Sequence, residues 1–151
     1  METRNPLRDL VAWQKAVALH ADLIRLTLQP AVARHAWLAE QLREGGRRLA
    51  GGVAEGQDHV KDINNDLLLA SAKGDALALL TLLEAARQAG LLEATAAEAL
   101  GKRCEELHRL LGGLLRRRRD GPVSGGSRGP WRRRPPSDGG FPEGDPWDSR
   151  S

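Results

Sequence analysis

The sequence predicts an all-α protein, an antiparallel up-down-up-down four-helix bundle with a disordered C-terminal tail. Three observations carry that prediction. Apolar residues recur at alternating spacings of three and four through four segments of the first 119 residues. Such spacing lays an apolar stripe along a helix and demands a facing helix to cover it. The segments are joined by short links that contain helix breakers such as Pro30 and Gly90, and short links make neighbouring helices antiparallel. Past position 119 the pattern stops. Residues 120–151 hold 7 Gly, 6 Pro and 5 Ser, a composition that buries too little apolar surface to offset the entropy of ordering. The expected organisation is a bundle over 5–119 and a tail over 120–151.

The first helix is expected over 6–28, with Asn5 as N-cap and Pro6 at N1, where its missing N–H costs nothing. Leu10, Trp13, Val17, His20 and Ile24 form one stripe, and Leu19, Leu23 and Leu26 form a second beside it. A helix apolar on two faces sits deep in a bundle or also meets another subunit. The second helix is expected over 33–55, with Leu38, Leu42, Leu49 and Val53 in phase. It holds Gly45, Gly46, Gly51 and Gly52, each costing roughly 0.8–1 kcal/mol against Ala in a helix interior. Two readings fit these glycines: a locally broken helix, or backbone approaching a neighbouring helix closely. The third helix is expected over 62–89, with Leu68, Ala72, Leu79, Leu82 and Ala86 in one stripe and Gly90 as the C′ residue. The fourth begins with Thr95-Ala96-Ala97-Glu98, which has the form of a capping box. Its stripe is Ala97, Leu100, Cys104, Leu107, Leu111 and Leu114, and it ends in Arg116, Arg117, Arg118 and Arg119.

Composition narrows the function. With four Trp, one Phe and no Tyr, the core must be Leu, Ala and Val, which suits close helix packing more than a ligand pocket. No apolar run approaches the 18 residues of a membrane span, and no hydrophobic leader opens the chain. The lone Cys104 excludes an intrachain disulfide, in keeping with a cytoplasmic protein. It reads as a small core residue, with no His or Asp set to make it a nucleophile. His20, in an apolar stripe, reads as a buried, hydrogen-bonded residue. His35, His59 and His108 lack partners at metal spacing. Neither a phosphate-cradling Gly-Lys loop nor a defensible acid–base carboxylate pair is present. The expectation is a non-enzyme without metal or cofactor.

Charge points to one end. Residues 1–119 carry eighteen Lys and Arg against fifteen Asp and Glu, and residues 120–151 carry five against five. Removing Arg116, Arg117, Arg118 and Arg119 turns the excess of three into a deficit of one. A cluster of this kind steers polyanions. Completing the helix dipole is the plainer role, but that effect is worth about 0.3–1 kcal/mol and saturates within one turn. Four arginines in succession suit phosphate, which Arg grips bidentately. Arg109, one heptad before Arg116, extends this surface or pairs with Glu105 or Glu106. Arg43 and Arg47, at i and i+4, form a second candidate surface or a solvated face beside Glu40 and Glu44. In the tail, Arg132, Arg133 and Arg134 follow Trp131, a basic segment with an aromatic able to stack on unpaired bases.

Three segments resemble known helical-bundle proteins. Asp9-Leu10-Val11-Ala12-Trp13-Gln14-Lys15-Ala16 is similar to the opening "DLxVWQKA" of the four-helix proteins encoded in 23S rRNA intervening sequences. Gln41-Leu42-Arg43, Leu49 and Val53-Ala54-Glu55-Gly56 resemble their second helix, "QLRRAAxSIPSNIAEG". Glu106 to Leu114 resembles "EIGRMLGGWL", typical of the related accessory variability determinant proteins of diversity-generating retroelements. The chain departs from these patterns at Glu44, Arg48, Ala50 and Gly52, where the rRNA-encoded group has Arg, Ser, Pro and Asn, and at Leu114, where Trp is usual. The resemblance implies a homopentamer of four-helix protomers with a cationic surface. It also implies binding of RNA or DNA and docking on a reverse transcriptase. A structural protein of the rRNA-encoded type, without nucleic-acid contact, is the alternative.

Overall fold

The computed structural model describes residues 10–57 and 63–119. The chain divides into two units, Met1–Gly121 and Pro122–Ser151, and every described residue lies in the first. Among the described residues the structure is entirely helical: α1 (Val11–Leu28), α2 (Pro30–Ala33), α3 (Ala36–Gly56), α4 (Ile63–Gln88) and α5 (Ala94–Arg119). The Asn5–Pro6 cap falls outside the described residues, as do His59 and the tail.

The contacts between helices fix their directions. His20 faces Gly46, and Arg43 reaches Thr27. Gly45, Gly52 and Gly56 face Leu79, Ala72 and Leu69 in turn. Gly101 meets Leu80, while Arg118 meets Asp66. In each pair of helices one number rises as the other falls, so α1, α3, α4 and α5 alternate in direction. They follow one another around the core in that order, and the ring closes at α1–α5 through the sparsest packing. Two ion pairs bridge that seam, Lys15–Glu106 and Asp22–Arg103.

Local chemistry explains the breaks. Gln29, the residue before Pro30, is extended, as a residue preceding proline must be, and this stops α1. Pro30 then opens the single turn of α2 at N1. Gly90, at φ 78°, ends α4. Its N–H donates to the Arg87 carbonyl at 3.0 Å and the Leu91 N–H to the Ala86 carbonyl at 2.9 Å, the paired bonds of a Schellman cap. The fourth predicted helix starts two residues earlier than its capping-box pattern suggested. The Ala97 N–H donates to Glu93, so Thr95 lies within the first turn of α5 and does not cap it.

The core is aliphatic. Leu38, Leu42, Leu49 and Val53 on α3 and Ala97, Leu100, Cys104, Leu107 and Leu111 on α5 are buried in the predicted phase, with Leu114 packed at the edge. On α4 the seam is rotated: Leu69, Ala76 and Leu83 join Ala72, Leu79 and Ala86 inside, and Leu68 and Leu82 flank it. On α1 the second stripe, extended by Ala12 and Ala16, is the buried one. The first stripe lies along the rim, where Val17 and Ile24 are 40% and 38% exposed.

Helix α3 is unbroken through its glycines, and close approach explains most of them. A Cβ on Gly45 would stand 2.5 Å from Leu79 Cδ2, on Gly46 2.5 Å from His20 Nδ1, and on Gly52 3.2 Å from Ala72 Cβ. Gly51 faces open space. His20 is therefore only half buried, with its Nδ1 pressed against Gly46 and without a hydrogen-bond partner, unlike the satisfied core histidine expected.

Candidate nucleic-acid interface

The C-terminal turns of α5 meet the end of α3 and the start of α4. Arg116, Arg117, Arg118 and Arg119 all lie within α5, but they do not share one environment. Arg118 folds inward. Its Nη2 donates to the Gly56 carbonyl at 2.7 Å and its Nη1 to Asp66 Oδ1 at 2.9 Å. Gly56 is the last residue of α3, and Asp66 lies in the first turn of α4. One guanidinium thus serves the negative end of one helix dipole and a carboxylate at the positive end of the next. Arg118 is a clamp that holds three helices together.

Arg116, Arg117 and Arg119 are exposed. Arg109 sits two turns earlier on the same face as Arg116, also exposed. Neither alternative partner holds it: Glu106 pairs with Lys15, and Arg109 acts on that carboxylate only through space. Arg116 lies back over Gly112 and Gly113, with Nη1 3.7 Å from where a Gly112 Cβ would stand. Lys73 of α4 reaches the same place, its Nζ also 3.7 Å from that point. Sequence reasoning missed Lys73. Nothing in its local pattern marks it, because antiparallel pairing of α4 and α5 alone brings it beside the arginines. His108 Nδ1 lies 3.3 Å from the Lys73 carbonyl. A carbonyl only accepts, so the ring N–H is the donor there.

The other candidates stand apart. Arg47 forms a two-pronged contact with Glu44, 2.9 Å from Nε to Oε2 and 2.6 Å from Nη2 to Oε1. Arg48 joins the same carboxylate, and together they hold Glu44 down at about 2. Arg43 reaches the buried Thr27 hydroxyl at 3.4 Å. At a rise of 1.5 Å per residue, Arg43 and Arg47 lie roughly 14–20 Å along α3 from its arginine-facing end. Arg132, Arg133 and Arg134 fall outside the described residues.

The cationic end therefore has a distinct character. Lys15, Arg25, Arg47, Arg48, Arg87, Arg103 and Arg118 each face a carboxylate. Among the described residues Arg34, Arg43 and Lys102 form no such pair, nor do Lys73, Arg109, Arg116, Arg117 and Arg119; of these, the last four lie along the last three turns of α5, with Lys73 beside them on α4. Cys104 is fully buried, and burial pushes its thiol up to about 11, so it is held as an unreactive core residue at neutral pH. Among the described residues no group of His, Cys, Asp or Glu is placed to hold a metal ion, and no helix is long and apolar enough to cross a membrane.

A family profile described as 23S rRNA-intervening sequence protein matches residues 8–113. The chain belongs to this family. The match takes in α1, α2, α3 and α4 whole and α5 as far as Gly113. The matched span thus covers the bundle as far as the Gly112–Gly113 pair under Arg116. Leu114 and the four arginines lie beyond the matched span of the intervening-sequence family. No curated protein matches the chain.

Proposed function

We propose that this chain is a non-enzymatic nucleic-acid-binding protein that holds RNA or DNA on the cationic end of its bundle. The observation that carries the reading is the clustering at that end of five cations without carboxylate partners among the described residues, Lys73, Arg109, Arg116, Arg117 and Arg119, while Arg34, Arg43 and Lys102, which also lack such partners, are not part of that cluster. Unpaired arginines release counterions when they meet phosphates, and that release drives binding to a polyanion without regard to sequence. The likeness of Glu106–Leu114 to the accessory variability determinant proteins supports the narrower form of the proposal. In that form the protein works in the cytoplasm beside a reverse transcriptase, supporting template-RNA reverse transcription in a diversity-generating retroelement.

The proposal includes self-association, as a homopentamer. Support comes from a second apolar stripe on α4 that no helix of the bundle covers. Leu67, Ala70, Gly74 and Leu77 recur at spacings of three, four and three and are all exposed, Leu67 at 64% and Leu77 at 43%. Several copies of a modest cationic end then act on one strand, and effective concentration multiplies weak contacts.

A second reading, an interaction protein without nucleic-acid contact, is favoured by the arginines lying beyond the family match. One experiment separates the two. Arg118 is left in place because it clamps the helices, and Arg116, Arg117 and Arg119 are changed together to Gln. Loss of RNA in a gel-shift assay, with the oligomer intact by light scattering, supports nucleic-acid binding. Equal retention by variant and parent supports the second reading.

A further inference from the structure

We propose that Lys73 and Arg116 form a two-pronged cradle for a single backbone phosphate, built across α4 and α5 over the missing side chain of Gly112. The inference rests on the nucleic-acid reading above and adds a site within it. Lys73 Nζ and Arg116 Nη1 each lie 3.7 Å from the point a Gly112 Cβ would occupy, so they are separated by no more than twice that distance. One phosphate group held by two charge-assisted contacts of roughly 2.8 Å can bridge nitrogens within that limit.

Two like charges held together without a carboxylate repel each other, and an anion between them relieves that repulsion. Three features hold the pair in place. Gly112 is buried in the α4–α5 contact and lets α4 approach, with Lys73 Cε 3.6 Å from its Cβ point. His108, one turn before Gly112, donates its ring N–H to the Lys73 main-chain carbonyl and so positions the turn that carries the lysine. Arg118, one residue beyond Arg117, is tied to Gly56 and Asp66 and fixes the end of α5 against α4. Arg117 and Arg119 have no counterpart on α4 among the described residues, so they make independent contacts. The cradle therefore separates Arg116, which shares its phosphate with a lysine distant in sequence, from its neighbours in the run.

The test measures binding of a fluorescein-labelled single-stranded oligouridylate to the full chain by anisotropy, over a series of salt concentrations. The variants are Lys73→Gln, Arg116→Gln, the two combined, Arg117→Gln, Arg116→Gln with Arg117→Gln, and Arg116, Arg117 and Arg119 all changed to Gln. Each lost phosphate contact on a single strand lowers the steepness of log K against log salt by roughly 0.7. The cradle predicts that Lys73→Gln and Arg116→Gln each weaken binding, and that the double variant loses no more than the single 0.7 belonging to one phosphate. Pairing Arg116→Gln with Arg117→Gln should lose about twice that. If Lys73→Gln binds like the parent while Arg116, Arg117 and Arg119 to Gln together abolish binding, the cradle is wrong and the nucleic-acid reading stands. If that triple variant also binds like the parent, both fail. Titration with inorganic phosphate, followed at the Gly112 amide by NMR, provides a second arm. A Lys73-dependent shift with no Lys73 effect on oligouridylate overturns the backbone-phosphate assignment in favour of a free anion.

Discussion

Two glycines of α3 should respond to alanine in opposite directions. Gly51 faces open space, with no heavy atom within 4 Å of an added Cβ beyond its chain neighbours and the local backbone of its own helix. Gly51→Ala therefore gains only the helix propensity, roughly 0.8–1 kcal/mol. At Gly56 an added Cβ would stand 2.6 Å from Leu69 Cγ, 2.7 Å from its Cδ2 and 3.0 Å from its backbone N. Leu69 is fully buried, and a backbone nitrogen cannot rotate away, so α3 and α4 must part. Overpacking of this kind costs about 1–3 kcal/mol. Gly56 ends its helix, so propensity returns little of that loss. In a domain of roughly 100 residues 1 kcal/mol moves Tm by about 4 °C or more. Thermal unfolding followed by circular dichroism, at fixed protein concentration, should show Gly51→Ala about 4 °C above the parent and Gly56→Ala at least as far below. Shifts of the same sign would refute the close packing of α3 on α4.

Other consequences follow from the same contacts. Arg118→Gln removes the donor to Gly56 and the pair with Asp66; it should cost about 0.5–1.5 kcal/mol in urea unfolding, whereas Arg117→Gln should leave the urea midpoint in place. Acid should loosen the bundle. Glu44 and Glu84 are held at about 2, chiefly by hydrogen bonds from Arg47 and Arg87, and Asp22 and Glu106 are lowered by Arg103 and Lys15. The unfolded chain then binds more protons, so this stability is complete above the ordinary carboxylate range and is lost as pH falls from about 4.5 toward 2. Asp75, raised by burial, contributes in the opposite sense. Hydrogen exchange at pH 3 should show α1 opening first, because two of these pairs close the α1–α5 seam; uniform exchange across the helices would contradict that. Leu67→Glu places a charge on the uncovered stripe of α4 and should lower the mass seen by light scattering while helix content persists; an unchanged mass would remove α4 from the proposed subunit contact.

How much of this was legible depended on how one-sided each helix is. On α3 and α5 a single apolar stripe faces a polar back, so the buried set was readable in phase. On α4 leucines occupy almost every direction, and Leu68 and Leu69, like Leu82 and Leu83, are adjacent. Periodicity does not choose between such neighbours; packing against α3 and α5 does. The two stripes of α1 posed the same problem, and packing buried the Leu19–Leu23–Leu26 side. Glycines in α3 fitted either a break or a close approach until Leu79, His20 and Ala72 were placed opposite them. Thr95-Ala96-Ala97-Glu98 has the letters of a capping box, yet α5 begins two residues too early for Thr95 to cap. The arginine run was plain in the sequence. Its division was not, because the clamp at Arg118 depends on Gly56 and Asp66, and the partner of Arg116 is a lone lysine on another helix.

The central claim is that unpaired cations at one end of the bundle exchange counterions for phosphates. The most direct measurement is the slope of log K against log salt for a single-stranded RNA and the unaltered chain. Four phosphate contacts per protomer, one shared by Lys73 and Arg116 and one each for Arg109, Arg117 and Arg119, give a slope of about −3 for each bound protomer. A slope near zero, or one that stays at about −3 when Arg116, Arg117 and Arg119 are all Gln, would contradict it.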